Sequence, residues 1–285
     1  MRIKGFTMVE MVVTMTIISI VAATAGIFIV HPIRAYIAVT QRADLIHVAE
    51  ITMRRIERDI KRAIPNSVRV NSTGKSLELL NTVGGFRYRA AAPNAFNIAP
   101  NLTAFNILGK FPNDMLGSNG YRVVVYSLGS YGTSPDDPTP GANVYGVAAA
   151  GVHIITPIGT AVTLTSGTTE DNVLFSGSAV QFSYESPQKR VYFADTPVTY
   201  LCNESSGTIT RLWDYDIQAI QPNDANSIPL SVAKSAVLAD KIQSCEFSYD
   251  PGSEQRNATV TIKLNVSDGN EVISLLHQVE VDNAP

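Results

Sequence analysis

Met1-Arg-Ile-Lys-Gly-Phe-Thr-Met-Val-Glu10 opens the chain, and Met11 to Val30 follows without a charged residue. About twenty apolar or small residues at roughly 1.5 Å each span the ~30 Å hydrocarbon core of a bilayer, so the stretch predicts a helix made for apolar surroundings. Glu10 sits just inside it, where an ionised group costs roughly 2.5–3.5 kcal/mol. That carboxylate is either a displaced charge near the membrane surface or a group kept for a purpose. Arg2 and Lys4 on the short flank hold that end in the cytoplasm under the positive-inside rule, so the chain after Val30 is expected on the outside.

Lys4-Gly-Phe-Thr-Met-Val-Glu10 resembles the prepilin-type cleavage and methylation site of type IV pilins and type II secretion pseudopilins. The resemblance implies that a prepilin peptidase cuts after Gly5 and N-methylates Phe6, and that Glu10 serves self-recognition in assembly. The chemistry is coherent, because a carboxylate in apolar surroundings is relieved by the positive amino terminus of a neighbouring subunit. Two other readings compete. A secretory signal peptide would use the Ala23-Thr-Ala25 site before Gly26, although Glu10 then lies inside its apolar core and the apolar stretch runs past the cut. A plain membrane anchor needs neither Gly5 nor Glu10.

Beyond a ~30-residue anchor about 255 residues remain, enough for one large domain or two small ones. With 45% hydrophobic and 16% charged residues the composition is neither disordered nor low in complexity. Charge is uneven: Arg34 to Arg69 holds eight Lys/Arg against four Asp/Glu, and the chain from Val70 holds twelve against twenty, a balance of −8. A basic stem under an acidic head argues against nucleic acid as the head's partner. It permits stem-to-head attraction between subunits, beside the ordinary reading of a solvated face.

His31-Pro32 interrupts the apolar segment, and a proline within a helical pattern kinks or ends it. Beyond it Leu45, Ala49, Thr52/Met53, Ile56, Ile60 and Ala63/Ile64 form one apolar stripe at three- and four-residue steps. Arg54, Arg55, Arg58, Lys61 and Arg62 take the other faces, Glu57 stands four residues before Lys61, and Pro65-Asn66 is the stop signal. The expectation is one long N-terminal helix packed by its stripe on a β-rich head. Period-two runs follow at Leu77–Leu80, Tyr121–Tyr126, Val162–Leu164, Val180–Tyr184 and Val191–Phe193. Val260 to Val266, a turn at Ser267-Asp-Gly-Asn270, and Val272 to Val281 predict a hairpin. Ala90–Asn119 and Gly129–Gly151, rich in Ala, Asn, Pro and Gly and including Pro135-Asp-Asp-Pro138, read as long surface loops or insertions rather than linkers.

Cys202 and Cys245 each adjoin a strand-like segment, and in a head outside the cytoplasm the pair is most simply a disulfide. Closing a loop of about 44 residues stabilises by roughly 4 kcal/mol in the chain-entropy model. No C-x-x-C, H-E-x-x-H, G-x-S-x-G or P-loop occurs, and His31, His47, His153 and His277 are scattered, so no enzyme, cofactor or metal is expected. Asp214 with Asp216, or Asp136 with Asp137, offer carboxylates for calcium, against the default of turn chemistry. Trp213 and Tyr215 are either a sugar-stacking surface or core.

Arg42-Ala-Asp-Leu45, Met53-Arg-Arg-Ile-Glu-Arg-Asp-Ile60, Arg62 to Val70 and His277-Gln-Val-Glu-Val-Asp-Asn-Ala-Pro285 look like the O-type minor pilins of the mannose-sensitive haemagglutinin (MSHA) pilus. The Arg-Arg-Ile-Glu-Arg-Asp run is also similar to J-type minor pseudopilins of type II secretion. The resemblance implies an α+β pilin-like fold: leader 1–5, transmembrane or filament-core helix 6–30, amphipathic helical stem 31–65 and β-rich head 66–285. It further implies a single-pass inner-membrane protein with a periplasmic head, later on the pilus surface. Implied partners are other pilin and minor pilin subunits, the prepilin peptidase, the inner-membrane assembly platform and membrane lipid. The middle of the head, about 71–240, carries no matching motif, so a binding module such as a glycan adhesin stays open there.

Overall fold

The structure, a computed structural model, describes residues 5–118, 120–129, 143–146, 153–178, 180–252, 257–269 and 271–281. The chain forms two compact units, Met1–His47 and Val48–Pro285. Arg2 and Lys4, Asp136 and Asp137, most of the Gly129–Gly151 stretch and the terminal Asp282–Pro285 lie outside the described residues.

One helix, α1, runs Met8–Lys61 and continues through Pro32 rather than ending there. In the first unit its side chains are exposed from Phe6 to Thr24 and from Phe28 to Asp44. In the second unit the expected stripe is buried: Ala49, Thr52, Met53, Ile56 and Ile60 are all at most 5% exposed. Arg54, Arg58 and Lys61 face solvent, and Lys61 Nζ donates to Glu57 Oε1 at 2.6 Å, as the four-residue spacing anticipates. The helix stops four residues before Pro65 because the sheet captures its end. Thr82 N donates to Arg62 O, and Ile64 N donates to Leu80 O, so tertiary partners replace the helical ones.

Among the described residues thirteen strands follow, all paired antiparallel: β1 Arg69–Val70, β2 Ser76–Arg87, β3 Ala104–Asn106, β4 Gly117–Ser118, β5 Arg122–Val124, β6 Thr160–Thr165, β7 Asn172–Gly177, β8 Arg190–Asn203, β9 Thr208–Trp213, β10 Lys234–Ala239, β11 Ile242–Asp250, β12 Ala258–Ser267 and β13 Val272–Val281. One sheet has the order β1-β2-β8-β9-β10 with β5 also on β8, a second is β11-β12-β13, and a third is β3-β7-β6-β4. The predicted hairpin is β12–β13, ten pairs without a bulge from Ala258↔Val281 to Ser267↔Val272. The chain reverses between Ser267 and Val272, where the turn was expected. Gly269 takes φ 95°, open to glycine, and Asp268 Oδ1 accepts from Glu271 N.

Two expectations are corrected. Val180–Tyr184 is no strand, since only Phe182 bridges to His153, although Val180 and Phe182 are buried. Ala90–Asn119 is not a surface loop, because it supplies β3, β4 and the buried Phe96, Leu102, Phe105, Ile107, Phe111 and Met115. These join Tyr88, Phe175, Phe182 and Phe193 in an aromatic core, with Phe96 and Phe105 ring centroids 5.3 Å apart at 89°. Its Ala, Asn and Pro residues sit largely in exposed turns between these buried anchors.

Two cross-links tie the second unit together. Cys202 on β8 is bonded to Cys245 on β11, Cα atoms 6.3 Å apart, joining the first sheet to the second. Arg69 and Glu78, both fully buried, pair at 2.6 Å across β1 and β2. Arg69 also donates to the carbonyls of Gln218 and Ala219 and stacks 3.6 Å over the Tyr145 ring, while Tyr215 donates to Glu78 Oε1 at 2.9 Å. Burial pushes the Glu78 carboxyl up and Arg69 pulls it back. The pair is tolerable inside the protein because its hydrogen-bonding capacity is met there.

Candidate functional site

Gly5, Phe6 and Thr7 precede α1, and Phe6 is 76% exposed. Thr7 caps the helix: Glu10 N donates to Thr7 Oγ1 at 3.3 Å, and Met11 N donates to Thr7 O at 3.2 Å. Thr7-Met-Val-Glu10 thus has the spacing of a capping box, and Glu10 lies in the first helical turn, where the helix dipole favours a negative charge. Local helix chemistry therefore gives Glu10 a place before any partner arrives. The Thr-x-x-Glu spacing was available in the sequence as a helix-start signal.

The helix surface beyond Glu10 is apolar in all directions. Met11, Val12, Val13, Met15, Ile17, Ile18, Ile20 and Val21 are each about half exposed or more. The hydroxyls among them are satisfied within the helix: Thr14 donates to the carbonyls of Glu10 and Met11, Thr16 to Val13, Ser19 to Met15 and Thr24 to Ile20 and Val21. No polar group of these four side chains requires water, which is the condition for residence in lipid or a packed helical core. The helix is long and apolar enough to cross a membrane. With the motif below it fits a protein anchored in the inner membrane.

At its other end α1 is held by charge. Asp59 is 4% exposed, accepts from Tyr200 Oη at 2.7 Å and Arg211 Nε at 2.8 Å, and stands 3.6 Å from Arg55. Burial, then the Asp59 charge, pushes the Tyr200 phenol up. Glu57 accepts from Lys61 and lies 3.0 Å from His277 Nε2 on β13; the Lys61 hydrogen bond, then that of His277, holds its carboxyl below the usual range. Asp59 is a residue that sequence reasoning missed. Its signal was an acid directly beside the stripe residue Ile60.

Of the other sequence candidates, Asp136 and Asp137 lie outside the described residues, and Trp213, Asp214 and Tyr215 have these partners. Asp214 pairs with Lys234 at 2.9 Å, Arg211 stacks 4.9 Å over Trp213, and Tyr215 is buried on Glu78. Among the described residues no group of three or more His, Cys, Asp or Glu side chains converges on a common point.

Residues 1–26 match the family model of the prokaryotic N-terminal methylation motif. No curated protein and no solved structure matches the chain. A prepilin methylation motif on a long apolar helix, followed by a β-rich head of antiparallel sheets, gives the chain an α+β pilin-like architecture and supports its placement among type IV pilin or pseudopilin proteins.

Proposed function

We propose that the chain is a minor pilin, a structural and assembly subunit of an MSHA-like type IV pilus rather than an enzyme. The observation that carries this reading is the methylation motif on a helix whose apolar surface has no cover within its own unit. In this mechanism the peptidase cuts between Gly5 and Phe6 and methylates Phe6. The Met11–Val30 segment then passes from lipid into the filament core, and Glu10 pairs with the amino terminus of a neighbouring subunit. Such minor subunits prime assembly at the filament tip, where a bulky head is better tolerated than in every repeat of the shaft.

Intact mass and N-terminal sequencing of protein from membranes or sheared filaments test it. An N-methylated Phe6 start supports the reading, and a start at Gly26 overturns it by removing Glu10. Glu10→Val should leave membrane insertion intact and reduce pilus number at least tenfold, counted by electron microscopy. A second reading, a type II secretion pseudopilin, is favoured by the Arg54-Arg-Ile-Glu-Arg-Asp59 run. Deletion of the chain would then abolish enzyme export instead of piliation.

A further inference from the structure

Along the antiparallel pair β2–β8, Arg87 stands directly opposite Arg190. Cross-strand neighbours share a face of the sheet, and like charges there destabilise it. Two positions along the same face, Gly85 stands opposite Tyr192, and a Cβ on Gly85 would lie 3.0 Å from two of that ring's carbons. The Tyr192 ring therefore lies directly over bare backbone. Arg87, Arg190 and Tyr192 line a cavity of about 270 Å³.

On its other side Tyr192 lines a second cavity, about 300 Å³, whose wall includes Lys61 and Arg62 at the end of α1. Arg62 and Arg87 are exposed, and among the described residues no ion pair involves either one. The wall of this second cavity also holds Thr82, whose Oγ1 is buried without a hydrogen-bond partner. Arg87 and Arg190 from the acidic head and Arg62 from the basic end of α1 thus stand along one strip with the Tyr192 ring between them, Lys61 beside Arg62 being already paired with Glu57.

We propose that this strip binds an acidic polysaccharide, with carboxylate-bearing sugar units in the two cavities and a sugar ring against Tyr192. Guanidinium pairs match carboxylates in geometry as well as charge, and the tyrosine ring offers an amphipathic platform. Two small cavities with converging polar groups suit sugar-sized units. A protein partner is disfavoured, because interface cores are depleted in charge and the strip concentrates it. Single-stranded nucleic acid prefers successive aromatic platforms along a continuous basic track, and this strip has one such ring.

The test uses the full chain in lipid nanodiscs, with polygalacturonate as probe and neutral dextran as control, read by biolayer interferometry. Polygalacturonate should bind and dextran should not. Arg87→Gln and Arg62→Gln should each weaken binding at least tenfold, while Lys263→Gln, on the outer face of the second sheet, changes it less than twofold. Absence of polygalacturonate binding overturns the proposal, as do equal binding of dextran and equal losses in all three variants. Tighter binding of a dT16 oligonucleotide that is lost with Arg87→Gln makes the strip a nucleic-acid site and overturns it too. Self-association of the chain, lost with Arg87→Gln and unaffected by polygalacturonate, overturns it in favour of a contact between subunits.

Discussion

Two stretches of α1 differ in what covers them. Between Met11 and Val30 the helix is apolar on every side, and its side chains are exposed over Met11–Thr24 and Phe28–Val30, whereas between Val48 and Lys61 it is apolar on one stripe and that stripe is buried. A one-sided stripe is a helix written for its own chain's core, and an all-round apolar surface is written for another solvent. Charge follows the same division. Glu10 is the only ionisable side chain from Phe6 to Val30 and sits in the first turn of its own helix, while Asp59 and Glu57 are each met by side chains from the sheets.

Placing the same charge in both stretches is the strongest way to break this contrast. Ile56→Asp buries an unpaired carboxylate at a fully buried position and should cost more than about 4 kcal/mol, removing the cooperative unfolding transition in denaturant. Ile18→Asp should leave that transition in place and act on membrane insertion instead, by roughly 2.5–3.5 kcal/mol, read as the membrane-bound fraction. Loss of head folding in Ile18→Asp would erase the distinction.

The disulfide sharpens it at somewhat smaller size. Cys202→Ser with Cys245→Ser should lower head stability by about 4 kcal/mol on the chain-entropy estimate and leave membrane association unchanged, measured by urea unfolding with and without reductant.

The smallest expected effect is the response to acid, and it belongs to the head. Hydrogen bonds from Arg89 hold the Glu170 carboxyl below its usual 4.5. Burial pushes Asp171 up, but the N–H groups of Phe111 and Gly167 and the Lys110 ammonium outweigh it and leave the carboxyl below 3.8. Groups lowered on folding contribute stability above their unfolded values and lose it as pH falls through the folded ones. The urea midpoint should therefore be flat above about pH 5 and fall below about pH 4, and Glu170→Gln should lower the plateau and shallow that fall. An unchanged acid limb in Glu170→Gln would remove this pair from the account.

The helix, its buried stripe and the final hairpin were legible because each is a periodic pattern that one element satisfies with its own neighbours in sequence. Leu45 to Ile60 repeats at helical spacing, and Val260 to Val281 alternates about a turn. The aromatic core was not legible in the same way. Phe96, Leu102, Phe105 and Phe111 are spaced by turns, follow neither period, and acquire a shared environment only when β6, β7 and β8 arrive from 50 to 100 residues later. Asp59, Tyr200 and Arg211 meet across 141 and 152 residues of chain, a separation no local pattern encodes.

The sequence by itself determined the membrane-competent helix, the motif at Gly5–Glu10 and the amphipathic continuation, since each depends on composition and spacing within a few turns. Only the tertiary structure decided where α1 ends, because backbone bonds from Thr82 and Leu80 take its last carbonyl and amide groups from the helix. It also set Arg87 against Arg190, because strand register brings together residues whose separation in the chain carries no signal.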